Sequence, residues 1–489
     1  MLSKEQVEEI VRLTIAQMGG GSPSAPVQSA PAAPQGAVLR PAASFQAPVN
    51  VGGWMYQDAN QAVEAAWTAF QQFSQLSLEK RRELVEAMRQ AARDNARHLA
   101  EMAHEETGYG HVEDKVVKNL LAADKTPGPE DIPTEAYTGD GGFTLVEHAP
   151  FGVIASVIPS TNPTATVINN AISMISAGNT VVFSPHPAAK RSSQEAIRVL
   201  HEALVAHGAP VGIITTPAEP SLENSQAVMK HPKIRLLSVT GGEAIVKVAM
   251  NSGKKAVCAG PGNPPVIVDE TAELDKAGKR TVDGASYENN ILCVAEKEVF
   301  CVNTVFDRFL GELERNGAYR IQGGDIDRVL RTVLMEKDGK YTPSRKFVGR
   351  DASYILDQCG IPYTGKPRLI ICEVDRSHPF VMTEMLMPVL ACVRVNDVDE
   401  AIREAVRAEN GCWHSAIMHS TNVRNMSRAA KALNTTIFVK NAPSYSGLGM
   451  EAEGHATLTI ATPTGEGLTS ARTFTRARRC VLHDDFRIL

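Results

Sequence analysis

The chain has 489 residues, 43% of them hydrophobic and 21% charged, with a formal net charge of -5. That length suits two or three domains with sizeable cores, and the charge balance argues against a nucleic-acid surface, which needs Lys and Arg clustered on one face. No uninterrupted apolar run approaches the ~20 residues of a membrane span, so a cytoplasmic protein is expected.

In chain order, residues 1–18 are expected as a short amphipathic helix. Val7, Ile10, Val11, Ile15 and Met18 recur at three- and four-residue spacing behind the capping box Ser3-Lys4-Glu5-Gln6. Glu5, Glu8, Glu9 and Arg12 break up the apolar core that a secretory signal would need. An isolated helix this short is marginal in water, so its apolar stripe calls for a partner surface; the alternative is a disordered tail with transient helicity. Residues 19–50, rich in Pro, Ala, Ser and Gly, read as a flexible linker.

From Asn60 to Asn119 the pattern is helical, and Gly108 and Gly110 follow His104-Glu105-Glu106-Thr107 as a helix stop. Between Gly152 and Asp269, Val- and Ile-rich runs (Val153 to Ile158, Thr180 to Phe183, Val211 to Thr215, Arg235 to Val239, Lys255 to Cys258, Val266 to Val268) alternate with helical segments. Such alternation predicts a parallel α/β sheet, with a nucleotide at the carboxyl ends of its strands. A second α/β region follows, with strands expected around Glu298 to Val302, Arg368 to Cys372, Val389 to Val395, Ala416 to His419 and Thr436 to Val439, and a helix over Asp325 to Lys337. The tail from Met450 carries Arg472, Arg476, Arg478 and Arg479, which suit a solvated surface or an anion-binding arm.

The eight cysteines have no C-x-x-C spacing, and Val205 stands where His201-Glu202 would need a second histidine, so neither a disulfide framework nor a metal site is expected. Cys293, between a polar run and an apolar segment, is either a nucleophile or a small buried hydrophobe. No G-x-G-x-x-G follows the first strand. Gly447-Leu448-Gly449-Met450-Glu451-Ala452 lacks a following helix and reads as a loop, whereas Thr240-Gly241-Gly242 closes a strand and opens a helix whose amides can face phosphate.

Several stretches, taken in order, resemble the aldehyde dehydrogenase superfamily from about Val51 to the C-terminus: Glu106-Thr107-Gly108, Pro159-Ser160-Thr161-Asn162-Pro163-Thr164, Ser184-Pro185-His186-Pro187, Thr240-Gly241-Gly242, Cys293 and Thr383-Glu384-Met385-Leu386-Met387-Pro388-Val389. The resemblance implies two Rossmann-like parallel-sheet domains, an NAD-binding one over residues 51–258 and a catalytic one over 259–449, with residues 450–489 as an arm serving oligomerisation. It implies that Cys293 attacks an aldehyde and is left as a thioester after hydride transfer to NAD. Asn162, or Thr161 beside it, would hold the oxyanion with the Cys293 amide; Glu384 would hold the nicotinamide ribose, with Leu386 also contacting the cofactor. Ser184, Pro185, His186 and Pro187 would line the adenosine ribose, with no carboxylate to repel the extra phosphate of NADP.

Members that hydrolyse the thioester place a general-base glutamate in a Glu-Leu-Gly-Gly run; here the run is Ala259-Gly260-Pro261-Gly262. Loss of that base, with Thr-Asn-Pro-Thr, Ser-Pro-His-Pro and the tail, resembles the CoA-acylating branch of bacterial microcompartments. On that likeness His414 accepts the CoA thiol proton, residues 1–18 dock on a shell protein, the substrate is propanal or acetaldehyde, and the enzyme is a homodimer or homotetramer. The rival readings are a hydrolytic or phosphorylating relative and a non-catalytic structural protein of the compartment.

Overall fold

The computed structural model describes residues 50–486 and 488; the helix expected over residues 1–18 and the linker up to residue 49 lie outside the described residues. The helical layer comprises Ala59–Phe73, Leu78–Asp94, Ala96–Thr107 and Val112–Lys125. Asp58 and Ser77 side chains accept from the amides of Gln61 and Lys80 at 2.9 and 3.1 Å, satisfying donors that a helix start leaves orphaned. Gly108 closes the third helix at φ 67°, a left-handed cap that glycine adopts without a Cβ clash.

Behind this layer stands a seven-stranded sheet in the order Asn50–Val51, Met55–Tyr56, Ile214–Pro217, Thr180–Pro185, Val153–Ile158, Ile234–Thr240, Lys255–Ala259. Only its first two strands are antiparallel to each other. Every residue of Val153–Ile158 and Thr180–Pro185 is buried, as expected of strands covered on both faces. A second seven-stranded sheet, parallel throughout, runs Ala318–Arg320, Leu369–Glu373, Val389–Val395, Glu298–Val302, Pro265–Val268, Ser415–His419, Ile437–Lys440.

Parallel pairing brings equivalent strand ends to one edge. The carboxyl edge of the first sheet gathers Asn162, Ser184, Thr240 to Gly242 and Ala259, which end or follow its strands. The amino edge of the second gathers Gly262, Cys293, Glu384 and His414, each just ahead of one of its strands.

Four details differ from the sequence reading. Val266 to Val268, read with the first alternation, belongs to the second sheet, between Glu298–Val302 and Ser415–His419. The strand expected at Val211 begins at Ile214, because Gly212 turns at φ 85° against the Ala65 carbonyl and leaves Val211 exposed. The helix expected to Lys337 stops at Val333. A hairpin, Leu334–Lys337 with Lys340–Pro343, follows across Asp338-Gly339, both at positive φ (52° and 72°), the Asp-Gly pattern of a tight two-residue turn. The arginine-rich tail forms Thr475–His483, antiparallel to Gly142–Pro150, which also pairs with Glu135–Gly139.

Candidate active site

Cys293 follows a turn, Tyr287–Asn290, in which Glu288, Asn289 and Asn290 hold φ of 52°, 53° and 65°. Left-handed backbone costs an ordinary residue roughly 1–2 kcal/mol, so three in succession need strong external anchors. Glu288 supplies the largest. Its carboxylate, fully buried, accepts from Lys115 Nζ at 2.8 Å and Lys118 Nζ at 2.6 Å. Asn290 Nδ2 donates to the Ala285 and Glu296 carbonyls, both at 2.8 Å. Lys297, fully buried, donates to the carbonyls of Asn290 and Leu292 at 2.9 and 3.2 Å. The nucleophile loop is therefore pinned on both sides of Cys293.

Lys118 also joins the two sheets. The same ammonium lies 2.6 Å from Asn162 Oδ1, and because ammonium only donates, the Asn162 amide must present its oxygen there and its NH2 elsewhere. That NH2 makes one long contact, 3.3 Å to Thr161 Oγ1. Asn162 thus has a donor in reserve, while the Thr161 hydroxyl oxygen is its acceptor.

Gly262 brings the remaining pieces together. Its amide donates to Glu384 Oε1 at 3.4 Å, and a Cβ there would lie 2.9 Å from both the Cys293 carbonyl oxygen and His414 Cγ. Burial, then the nearby Glu384 carboxylate, pushes the Cys293 thiol up to about 12, so the resting thiol is neutral. Burial also raises Glu384 above the usual carboxylate range, against the pull of Lys297. His414 is fully buried, its Nδ1 lies 2.8 Å from Ser415 Oγ, and its Nε2 has no partner among the described residues. Burial, with Lys297 adding to it, lowers the imidazole to about 4. It is neutral at pH 7, with one ring nitrogen uncommitted.

The dinucleotide edge has a matching shape. Ser184 Oγ, at the end of Thr180–Pro185, is buried without a partner among the described residues. Thr240 Oγ1 lies 2.9 Å from Thr459 Oγ1, and a Cβ on Gly242, the N-cap of Glu243–Met250, would meet nothing within 4 Å. An orphaned hydroxyl and an open helix start suit a dinucleotide's hydroxyls and phosphates. His186 accepts from the Ala188 amide at 3.1 Å and caps the turn Pro187–Ala189, with Pro185 ahead of it. Leu386 enters through its backbone: at φ 51° its carbonyl accepts from the Gly349 amide at 2.9 Å. Ala259 ends its strand with a buried methyl group where the hydrolytic base would stand.

Sequence reasoning missed Lys115, Lys118, Glu288 and Lys297. A signal existed for the first two, since Lys115, Lys118 and Ala122 share one buried stripe of Val112–Lys125. Glu106 was singled out without a role; its carboxylate accepts from the Arg191 and Ser192 amides at 2.7 and 2.8 Å and caps Lys190–Ala206.

Over residues 37–455 the sequence matches the aldehyde dehydrogenase family. It is 49% identical over 438 residues to acetaldehyde dehydrogenase (acetylating) EutE of Salmonella typhimurium, spanning 89% of this chain and 93% of that one. The structure of Rhodopseudomonas palustris propionaldehyde dehydrogenase with bound CoA and an acylated cysteine has a TM-score of 0.87 and 47% identity, covering 89% of this chain and 99% of that one. A propionaldehyde dehydrogenase from the Clostridium phytofermentans fucose utilisation bacterial microcompartment has a TM-score of 0.87 and 43% identity, covering 90% and 100%.

Proposed function

The chain belongs to the aldehyde dehydrogenase family, and we propose that Cys293 carries the acyl group of a short aldehyde, propanal or acetaldehyde, on its way to coenzyme A. The enzyme is a CoA-acylating aldehyde dehydrogenase that uses NAD. NAD, when bound, supplies the acceptor for the aldehyde's hydride, and Ser184, Gly242 and Glu384 are the residues that would hold it.

Cys293 must lose its proton, released to solvent, before its sulfur attacks the carbonyl carbon. The oxyanion that forms is met by the Cys293 amide and by the NH2 of Asn162, whose amide orientation Lys118 sets. Loss of hydride leaves a thioester on Cys293. The CoA thiol gives its proton to the free Nε2 of His414 and its sulfur bonds to the acyl carbon, breaking the bond between that carbon and Cys293 Sγ and releasing Cys293 as the thiolate. The observation that carries transfer to a thiol, more than to water, is the buried methyl group of Ala259, which cannot act as a base.

The test is CoA dependence. Steady-state NADH formation from propanal and acetaldehyde should require CoA, with no more than one equivalent per Cys293 formed in its absence, and should vanish in Cys293→Ala. If free acid forms without CoA as fast as acyl-CoA forms with it, the argument from Ala259 is lost. Encapsulation in a bacterial microcompartment, with residues 1–18 docking on a shell protein, is supported by the helical spacing of Val7, Ile10, Val11 and Ile15 and by likeness to the Clostridium microcompartment enzyme. A homodimer or homotetramer is supported by the strand Thr475–His483, of which eight residues are exposed.

A further inference from the structure

The left-handed run Glu288 to Asn290 is anchored outside the reacting site by the Gly349 carbonyl, 3.0 Å from Asn289 Nδ2, and by two carboxylates. Asp114 Oδ2 accepts from the Glu288 amide at 2.9 Å, and Asp351 Oδ1 from Asn289 Nδ2 at 2.7 Å. They come from separate elements: Asp114 from the first turn of Val112–Lys125, Asp351 from the N-cap of Ala352–Cys359. The His111 ring lies between them, Nδ1 3.4 Å from Asp114 Oδ2 and Nε2 3.0 Å from Asp351 Oδ1. Its own backbone amide donates to Glu288 Oε1 at 3.2 Å.

We propose that His111 is a positioning residue for the nucleophile: as an imidazolium it ties Asp114 to Asp351, and through them fixes the turn from which Cys293 is presented. Only the imidazolium donates from both ring nitrogens; a neutral ring would face one carboxylate with a lone pair. Hydrogen bonds to Asp114 and then Asp351 outweigh burial and raise His111 to about 10, and the same ring lowers Asp351 to about 2. The other titratable groups around the clamp are Glu288, paired with Lys118 and Lys115, and His104, which faces Asp351. Burial lowers Lys115 to about 8, so it loses its charge in the same window in wild type and variant alike. A histidine raised in this way keeps its charge through neutral pH and loses it as pH rises through about 10, while the stability that charge contributes is full below its ordinary value of 6.5 and declines from there. The clamp should therefore hold across neutral pH and open above it.

The inference rests on Cys293 being the nucleophile, and its test separates the two. CoA-dependent NADH formation from propanal is measured for the full chain and for His111→Gln between pH 7.5 and 10.5. His98→Gln, which removes a comparable exposed contact 3.0 Å from Glu195, serves as control. His111→Gln should lower kcat about tenfold at pH 7.5 with KM for propanal within about twofold, and slow iodoacetamide labelling of Cys293. The ratio of wild-type to variant kcat should close toward one above pH 10, because wild type then loses the same clamp. Asp351→Asn removes the other end of the bridge, should act in the same direction, and decides the matter where His111→Gln does not fold. A variant kcat within twofold of wild type, or a ratio unchanged from pH 7.5 to 10.5, overturns the clamp. Activity persisting in Cys293→Ala would overturn the nucleophile instead.

Discussion

The side-chain amide of Asn162 can be oriented only one way, because Lys118 Nζ sits 2.6 Å from its Oδ1 and can only donate. This makes Asn162→Asp an informative substitution. It keeps the shape, gives Lys118 a carboxylate to pair with, and replaces the spare NH2 by an acceptor. An acceptor aimed at a developing oxyanion repels it, so kcat should fall about 100-fold or more, while the thermal midpoint stays level or rises. Steady-state kinetics and calorimetry on one preparation check both halves; a kcat within about fivefold of wild type would remove Asn162 from the oxyanion site. The same geometry explains why the sequence left Thr161 and Asn162 open as alternatives. The residue that separates them, Lys118, lies 44 positions away, and no local pattern links it to either.

The strand Glu298–Val302 begins with a carboxyl group that is fully buried, both of whose oxygens lack a hydrogen-bond partner among the described residues. Burial raises Glu298 well above the ordinary carboxylate range, Lys297 pulling it down and Glu409 pushing it up. A group whose folded pKa is raised contributes stability below its unfolded value, and loses it as pH rises from there. Stability in Glu298→Gln lacks that decline, so the variant should gain on wild type progressively as pH rises from about 4.5 to 8; parallel melting curves that never diverge would show that an internal partner satisfies Glu298. This strand was legible in sequence because five apolar or buried residues in a row admit little else, and the same holds for the other interior strands. The hairpin at Leu334–Pro343 and the strand Thr475–His483 were not, since their residues are mostly exposed and show no one-sided apolar alternation. At the site, ordered motifs brought Cys293, Glu384 and Asn162 to notice. Lys118 and Lys115 escaped because their partner Glu288 is 170 and 173 residues away.

At the scale of the whole molecule, the three-stranded sheet of Glu135–Gly139, Gly142–Pro150 and Thr475–His483 ends in an open edge. Thr475–His483 pairs on one side with Gly142–Pro150 along its full length, and no strand among the described residues pairs with its other row of amides and carbonyls. Such an edge invites another strand, and in the homo-oligomer proposed above a second copy of the chain would supply one of fixed geometry. Arg476, Arg478 and Arg479 keep the edge charged, which suits a specific pairing better than open-ended stacking. Deleting residues 475–489 should therefore reduce the mass in solution to that of one chain, whereas deleting residues 1–18 should leave the mass of the assembly and its CoA-dependent rate unchanged while ending co-purification with shells. Light scattering on the full chain and both truncations distinguishes the two ends. A full chain that is already monomeric would leave the arm without a partner, and loss of solution activity on removing residues 1–18 would make that segment part of the catalytic fold.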